Sequence, residues 1–203
     1  MSSEQRARRP GGARSRRRGE ALEEAIHGAV LAELIERGYA GLTMERVAER
    51  ARTGKSSLYR RWECLESLVL DTLGHTLPSL DSPAPDTGSL RGDLTFMLNR
   101  MARVLHEPAG QAMYTLVAAG DRQPAIVRAV DERLIQPRIE LLCQGFRRAA
   151  ERGEIEPSDA WPVIARVGPA LIIQEFLLTG KPTDEDGIAM IIDHVILPAL
   201  GRR

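Results

Sequence analysis

Lys55, Ser56, Ser57, Tyr59, Arg60 and Arg61 place three cations, two aliphatic hydroxyls and a phenol within seven residues. One chemistry uses all of them: hydrogen bonds and charge contacts to phosphate oxygens, with some of the same side chains reading base edges. To act together they need a short helix that shows its outer face. Leu58 and Trp62 lie four apart and supply the inner face of such a helix. Upstream, Thr43 can cap a first helix with its hydroxyl. Glu45 and Glu49 favour the early turns of that helix, and Val47, Ala48 and Ala51 give it an apolar stripe. Gly54 interrupts the pattern where the chain must bend. Residues 43–62 therefore read as a helix–turn–helix whose second helix, 55–62, suits the major groove. The competing reading is an ordinary helical hairpin with a solvated basic face.

The wider charge pattern favours nucleic acid. The 203-residue chain carries no net charge, yet residues 1–62 hold 14 Lys and Arg against 8 Asp and Glu, leaving 14 against 20 for the rest. A basic head on an acidic body implies that the head alone meets DNA. Residues 1–18 are Arg-rich and poor in apolar side chains, so a disordered arm is expected there. Arg14, Arg16, Arg17 and Arg18 are its candidate DNA contacts; a targeting segment and a solubility tail are the alternatives. No apolar run follows these charges, as a signal peptide would require. No run of 18 apolar residues exists, so no membrane span is expected. Cys64 and Cys143 form no disulfide or metal pattern, and a cytoplasmic location is expected. The four histidines fall in no ligand spacing, so no metal or cofactor is expected. No nucleophile–base arrangement or phosphate-binding glycine loop is present, so no catalytic residue is expected. At 4% aromatic content the chain lacks stacking platforms for single strands.

Helical periodicity runs almost throughout and alternating strands are absent, so the expected fold is all-α with about nine helices. The first spans about Gly19 to Arg37 with Leu22, Ile26, Val30 and Leu34 inward, and Gly38 marks its stop. A proline-rich break follows position 77. A long helix from Pro124 to Arg152 contains Pro137, where a kink is expected. The organisation that follows is an arm (1–18), a three-helix head (19–64) and a larger body (65–203).

TMERVAERA at 43–51, KSSLYRRW at 55–62 and then Glu66, Ser67 and Leu68 resemble the tetracycline-repressor (TetR) family of bacterial transcription regulators. PAIVRAV at 124–130, PRIELL at 137–142, RGEI at 152–155 and LTGKP at 178–182 resemble one subgroup of it. The resemblance implies a homodimer that binds a palindromic operator in double-stranded DNA and is released from it by a small-molecule effector. It further implies a phosphate contact from Thr43, phosphate or groove contacts from Lys55, Ser57 and Tyr59, and base selection by Ser56 and Arg60, with Lys55 a further candidate for it. Where the family usually has Gly-Val in the turn, this chain has Arg52-Thr53. Where it often has a phosphate-binding Lys after the reading helix, this chain has Leu65; Arg52 and Arg61 are candidate replacements for that charge.

In the body, Ile164, Val167, Gly168, Leu171, Ile172 and Glu175 on one helix, and Ile188, Ile191, Ile192 and Val195 on the last, are candidate dimer contacts. Both helices are apolar around more than a narrow stripe, which implies burial on two sides; burial wholly inside one chain is the alternative. Phe96, Met97, Met101, Met113, Tyr114, Val117, Phe146 and Gln174 are candidate pocket residues, with plain core as the alternative. A helical enzyme or a dimeric scaffold with an incidental basic head is the competing functional class.

Overall fold

The computed structural model describes residues 12–77, 85–118 and 123–201, excepting the side chains of 12–18. Among the described residues the fold is helical with no strand. Helix α1 (Gly12–Gly41) breaks at Gly38, where φ is 65°. That is the stop expected from sequence, and a side chain there would meet the left-handed penalty. The helix begins seven residues before the expected Gly19. Arg14, Arg16, Arg17 and Arg18, the candidate arm contacts, lie outside the residues whose side chains are described.

Helices α2 (Met44–Arg50) and α3 (Lys55–Tyr59) follow, then α4 (Leu65–Thr76). The body comprises α5 (Leu90–Val104), α6 (Pro108–Ala118), α7 (Pro124–Val130), α8 (Gln136–Glu151), α9 (Trp161–Thr179), α10 (Glu185–Ile191) and a short α11 (Leu197–Ala199). A π-helical turn at Asp131–Ile135 joins α7 to α8, and another at Ile192–Ile196 joins α10 to α11. Each lies just before an interior proline, Pro137 or Pro198. A proline ring crowds the carbonyl four residues back, and the wider π turn places the register change at that carbonyl. This is the local distortion that Pro137 foretells.

Two apolar cores organise the chain. Ile26, Val30 and Leu34 of α1 are fully buried with Val47, Leu58, Leu68 and Leu73. The same core continues into the body through Ala112 and Leu116 of α6 and Ile126 and Val130 of α7. The packing of α1 on α6 is its most extensive contact. The second core joins α5, α8, α9 and α10 around Leu98, Phe146, Ile172 and Ile192. Gly110 lets α6 cross the end of α5 closely, since a Cβ there would sit 2.1 Å from the Val104 carbonyl oxygen.

The RGEI stretch fastens α8 to α5. Gly153 (φ 76°) turns the chain at the end of α8. Arg152 Nε then donates to Glu154 Oε1 (2.6 Å), and Glu154 Oε2 accepts from the Leu90 amide (2.9 Å), satisfying an orphan donor at the start of α5. The buried Asp93 carboxylate lies 3.7–3.8 Å from Arg148 and Arg152 and accepts from the Thr87 amide and hydroxyl.

Candidate nucleic-acid interface

The Thr43 hydroxyl accepts from the Arg46 amide (3.2 Å), so the expected cap of α2 forms. The turn after α2 differs from the expectation. Gly54 has an ordinary extended backbone (φ −82°) and is the N-cap of α3. The left-handed residue is Arg52, with φ 52°. The Arg52 amide donates to Glu49 O (3.1 Å) and the Thr53 amide to Ala48 O (2.9 Å), the two bonds of a Schellman ending. Arg52 therefore occupies the position that glycine usually fills.

Arg50 anchors α2 to α1. Its guanidinium grips Glu36 at 2.6 and 2.7 Å and lies 2.9 Å from the buried Glu33. The hydrogen bond from Arg50 holds the Glu36 carboxyl below its usual range. Helix α3 is seated by Leu58, fully buried, and Trp62, whose Nε1 donates to Asp71 Oδ2 of α4 (2.8 Å). Regular helix ends at Tyr59, and one further turn reaches Trp62.

With those anchors inside, the expected contact set lies outside. Thr43, Arg52, Lys55, Ser56, Tyr59, Arg60 and Arg61 are exposed, and Ser57 is half-buried. Several are engaged within the chain. Lys55 Nζ donates to Glu45 Oε1 (2.9 Å), which holds the Lys55 ammonium above and the Glu45 carboxyl below their usual ranges. Arg60 donates to Ser57 Oγ (3.2 Å) and Arg61 to Ser57 O (3.3 Å). Leu65 packs against the head core, so a cation at that position would lose this contact.

The body corrects two expectations. Ile164, Gly168, Ile172, Ile188, Ile191 and Ile192 are buried inside the chain, not offered to a partner. Glu175 accepts from the Thr183 hydroxyl (2.6 Å) and ties α9 to the start of α10. The open faces are different ones. Val163, Leu177 and Leu178 on α9 and Met190 beyond it are 46–78% exposed, with Ala170 exposed between them. Val167 and Leu171 are half-buried, and Val195 is 39% exposed. By length and composition α9 could also cross a membrane, with mean hydropathy 1.3 and only 17% of it buried, although Arg166, Gln174 and Glu175 interrupt it.

The candidate pocket residues are not brought together. Met97 packs on the second core and Met113 on the first. Phe146 is fully buried against Trp161. Tyr114 meets Phe176 edge-on, with ring centroids 6.4 Å apart. Met101 is half-buried, while Val117 and Gln174 face solvent. Phe96 alone of the eight lines a surface groove of about 450 Å3, with Arg91, Thr95, Asn99, Arg103 and Glu185.

Asp71 and His75, four apart on α4, read from sequence as a helix-surface pair; the structure joins them to His27 of α1 in a polar cluster. His27, 1% exposed, bonds through Nδ1 to the Thr72 hydroxyl (2.9 Å) and stacks on His75 at 4.8 Å. Burial, then the neighbouring His75, lowers the His27 pKa. The available signal was an acid four residues before a histidine on each helix: Glu23 and His27, Asp71 and His75.

Two stretches of the chain match known families. Residues 28–71 match the family described as bacterial regulatory proteins, tetR family, and residues 84–195 match the tetracyclin repressor-like C-terminal domain. The chain is 29% identical over 180 residues to an uncharacterized HTH-type transcriptional regulator of Mycobacterium tuberculosis, covering 89% of this chain and 88% of that one. It is 28% identical over 180 residues to the DNA-binding transcriptional repressor TetR of Mycobacteroides abscessus, covering 89% and 94%. A crystal structure of a TetR family transcription regulator superposes with a TM-score of 0.64 at 26% identity, over 86% of this chain and 96% of that one.

Proposed function

The chain belongs to the tetracycline-repressor (TetR) family of transcriptional regulators and binds DNA through its helix–turn–helix head; from that premise we propose that it is a homodimeric, ligand-released repressor acting in the cytoplasm. The observation that carries this reading is the outer face of α3. Lys55, Ser56, Tyr59, Arg60 and Arg61 all lie exposed on a helix that Leu58 and Trp62 lock to the head. Contact with DNA exchanges the pairing of Lys55 with Glu45 for a phosphate. Thr43, Arg52, Lys55, Ser57, Tyr59 and Arg61 take phosphates, while Ser56 and Arg60 select bases.

Dimerisation is assigned to the exposed apolar faces of α9 and α10, through Val163, Ala170, Leu177, Leu178 and Met190. Two-fold symmetry then sets two reading helices roughly 34–36 Å apart on a palindromic operator. Release requires an effector that prefers the body conformation whose heads misfit the operator. Because α1 packs on α6, and α4 joins head to body, a shift in α4 or α6 moves the head directly. The relative named as a repressor supports repression over activation.

The test is binding of the purified protein to a labelled duplex from its own promoter region, against a random duplex, across a salt series. Specific binding is expected, with a log–log salt slope of about −0.9 per neutralised phosphate. Equal binding to both duplexes, or none at low salt, overturns the reading.

A further inference from the structure

The cluster between α1 and α4 has the composition of a metal site. Each helix carries an acid and a histidine four residues apart, which puts both on one helical face. The two helices pack together, and one ligand atom each from Glu23, His27 and Asp71 lies within 4.8 Å of the others. His75, one turn beyond Asp71, stacks its ring on His27 and sets Nε2 3.3 Å from Glu24 Oε1. We propose that Glu23, His27 and Asp71 bind a divalent first-row transition ion of the zinc class, with water in the fourth position.

The surroundings supply what such a site needs beyond its ligands. Metal-binding histidines are oriented by a partner on the second ring nitrogen, and the Thr72 hydroxyl holds His27 Nδ1. Ligating carboxylates are themselves hydrogen-bonded, and Trp62 Nε1 holds Asp71 Oδ2. The apolar core does not require an imidazole here, and DNA does not reach one that is 1% exposed. Tetrahedral zinc with bonds of about 2.0–2.2 Å needs its ligands closer than 4.8 Å. Glu23 is half-buried and Asp71 exposed, so both carboxylates have room to close that gap. An imidazole with two carboxylates selects zinc and its neighbours over magnesium or calcium, which take oxygen-only shells.

A bound ion bridges α1 to α4 and stiffens the joint between head and body. Any consequence for operator affinity rests on the regulator reading above; the binding itself does not. The test therefore contains no DNA. Full-length protein carrying Cys64→Ser, to remove the exposed thiol, is stripped with chelator. It is then titrated with Zn2+ by calorimetry and with Co2+ by visible absorption. One ion per chain is expected, with the d–d bands of tetrahedral cobalt. The double variant Glu23→Gln/Asp71→Asn removes both ligand charges while the Asp71→Asn amide oxygen can still accept from Trp62 Nε1, and circular dichroism checks that the fold is kept. It should lose at least about tenfold in affinity, since even the loss of outer-shell partners costs that much. Absence of stoichiometric binding, or equal affinity in the double variant, overturns the proposal. The promoter-duplex experiment stands whichever way this one falls.

Discussion

Replacing Arg52 separates the strain in the turn from the charge that the turn presents. An L-residue in the left-handed region costs about 1–2 kcal/mol, and Arg52 sits there at φ 52°. Arg52→Gly removes that cost but adds backbone freedom to the unfolded chain, worth about 0.5–1 kcal/mol. The net gain then centres on about 0.75 kcal/mol, within about 0–1.5 kcal/mol. For a chain of this length that raises Tm by roughly 1–4 °C. Arg52→Ala keeps the strain while deleting the charge, so its stability should match wild type. Urea unfolding with a common m-value reads the difference as a shift in midpoint. The expected order of stability is Gly above Arg, with Ala equal to Arg. A glycine variant less stable than wild type refutes the turn geometry. The same two variants test the phosphate role: each should flatten the salt slope of duplex binding by about 0.9. Unchanged slopes remove Arg52 from the interface.

Further consequences concern the interface, the packing and the head clamp. Met190→Glu places a charge on the exposed apolar face and should convert dimer to folded monomer in sedimentation. A stable dimer would move the partner face elsewhere. Gly110→Ala drives a Cβ into the Val104 carbonyl and should cost about 1–3 kcal/mol in urea unfolding; an unchanged midpoint refutes the close crossing of α6 over α5. Glu45→Gln frees Lys55 from its partner and should tighten duplex binding with little change in Tm; weaker binding would place Lys55 outside the contact set. Glu36 has a lowered pKa because Arg50 bonds it. Its clamp is thus present above the usual carboxylate range, near about pH 4, and is lost as pH falls through the lowered value. Glu36→Gln should remove that part of the acid dependence of unfolding, and an unaltered profile would refute the clamp.

The local chain settled most of the helical map. The break at Gly38, the cap at Thr43, and the inward Ile26, Val30, Leu34, Leu58 and Trp62 all lie where periodicity and end signals put them. Caps, stops and amphipathic stripes depend on neighbours within a turn, so one sequence suffices to read them. The outer face of α3 was legible for the same reason, because its inner face was.

Tertiary packing decided the rest. Helices α9 and α10 are apolar on both sides, so periodicity cannot rank the faces. Only docking on α5 and α8 turned Ile164, Ile172, Ile188 and Ile192 inward and left Val163, Leu177 and Met190 outside. Met97 and Met113 are the same residue type but pack on different cores, a choice that only the placement of α5 and α6 makes. Arg52 took the left-handed turn because the seating of α2 and α3 fixed the angle between them. Glu23, His27 and Asp71 met because α1 and α4 cross, a contact between segments more than forty residues apart. Sequence sets each helix's local faces, but the partner of each face is chosen by burial and closure over the whole chain.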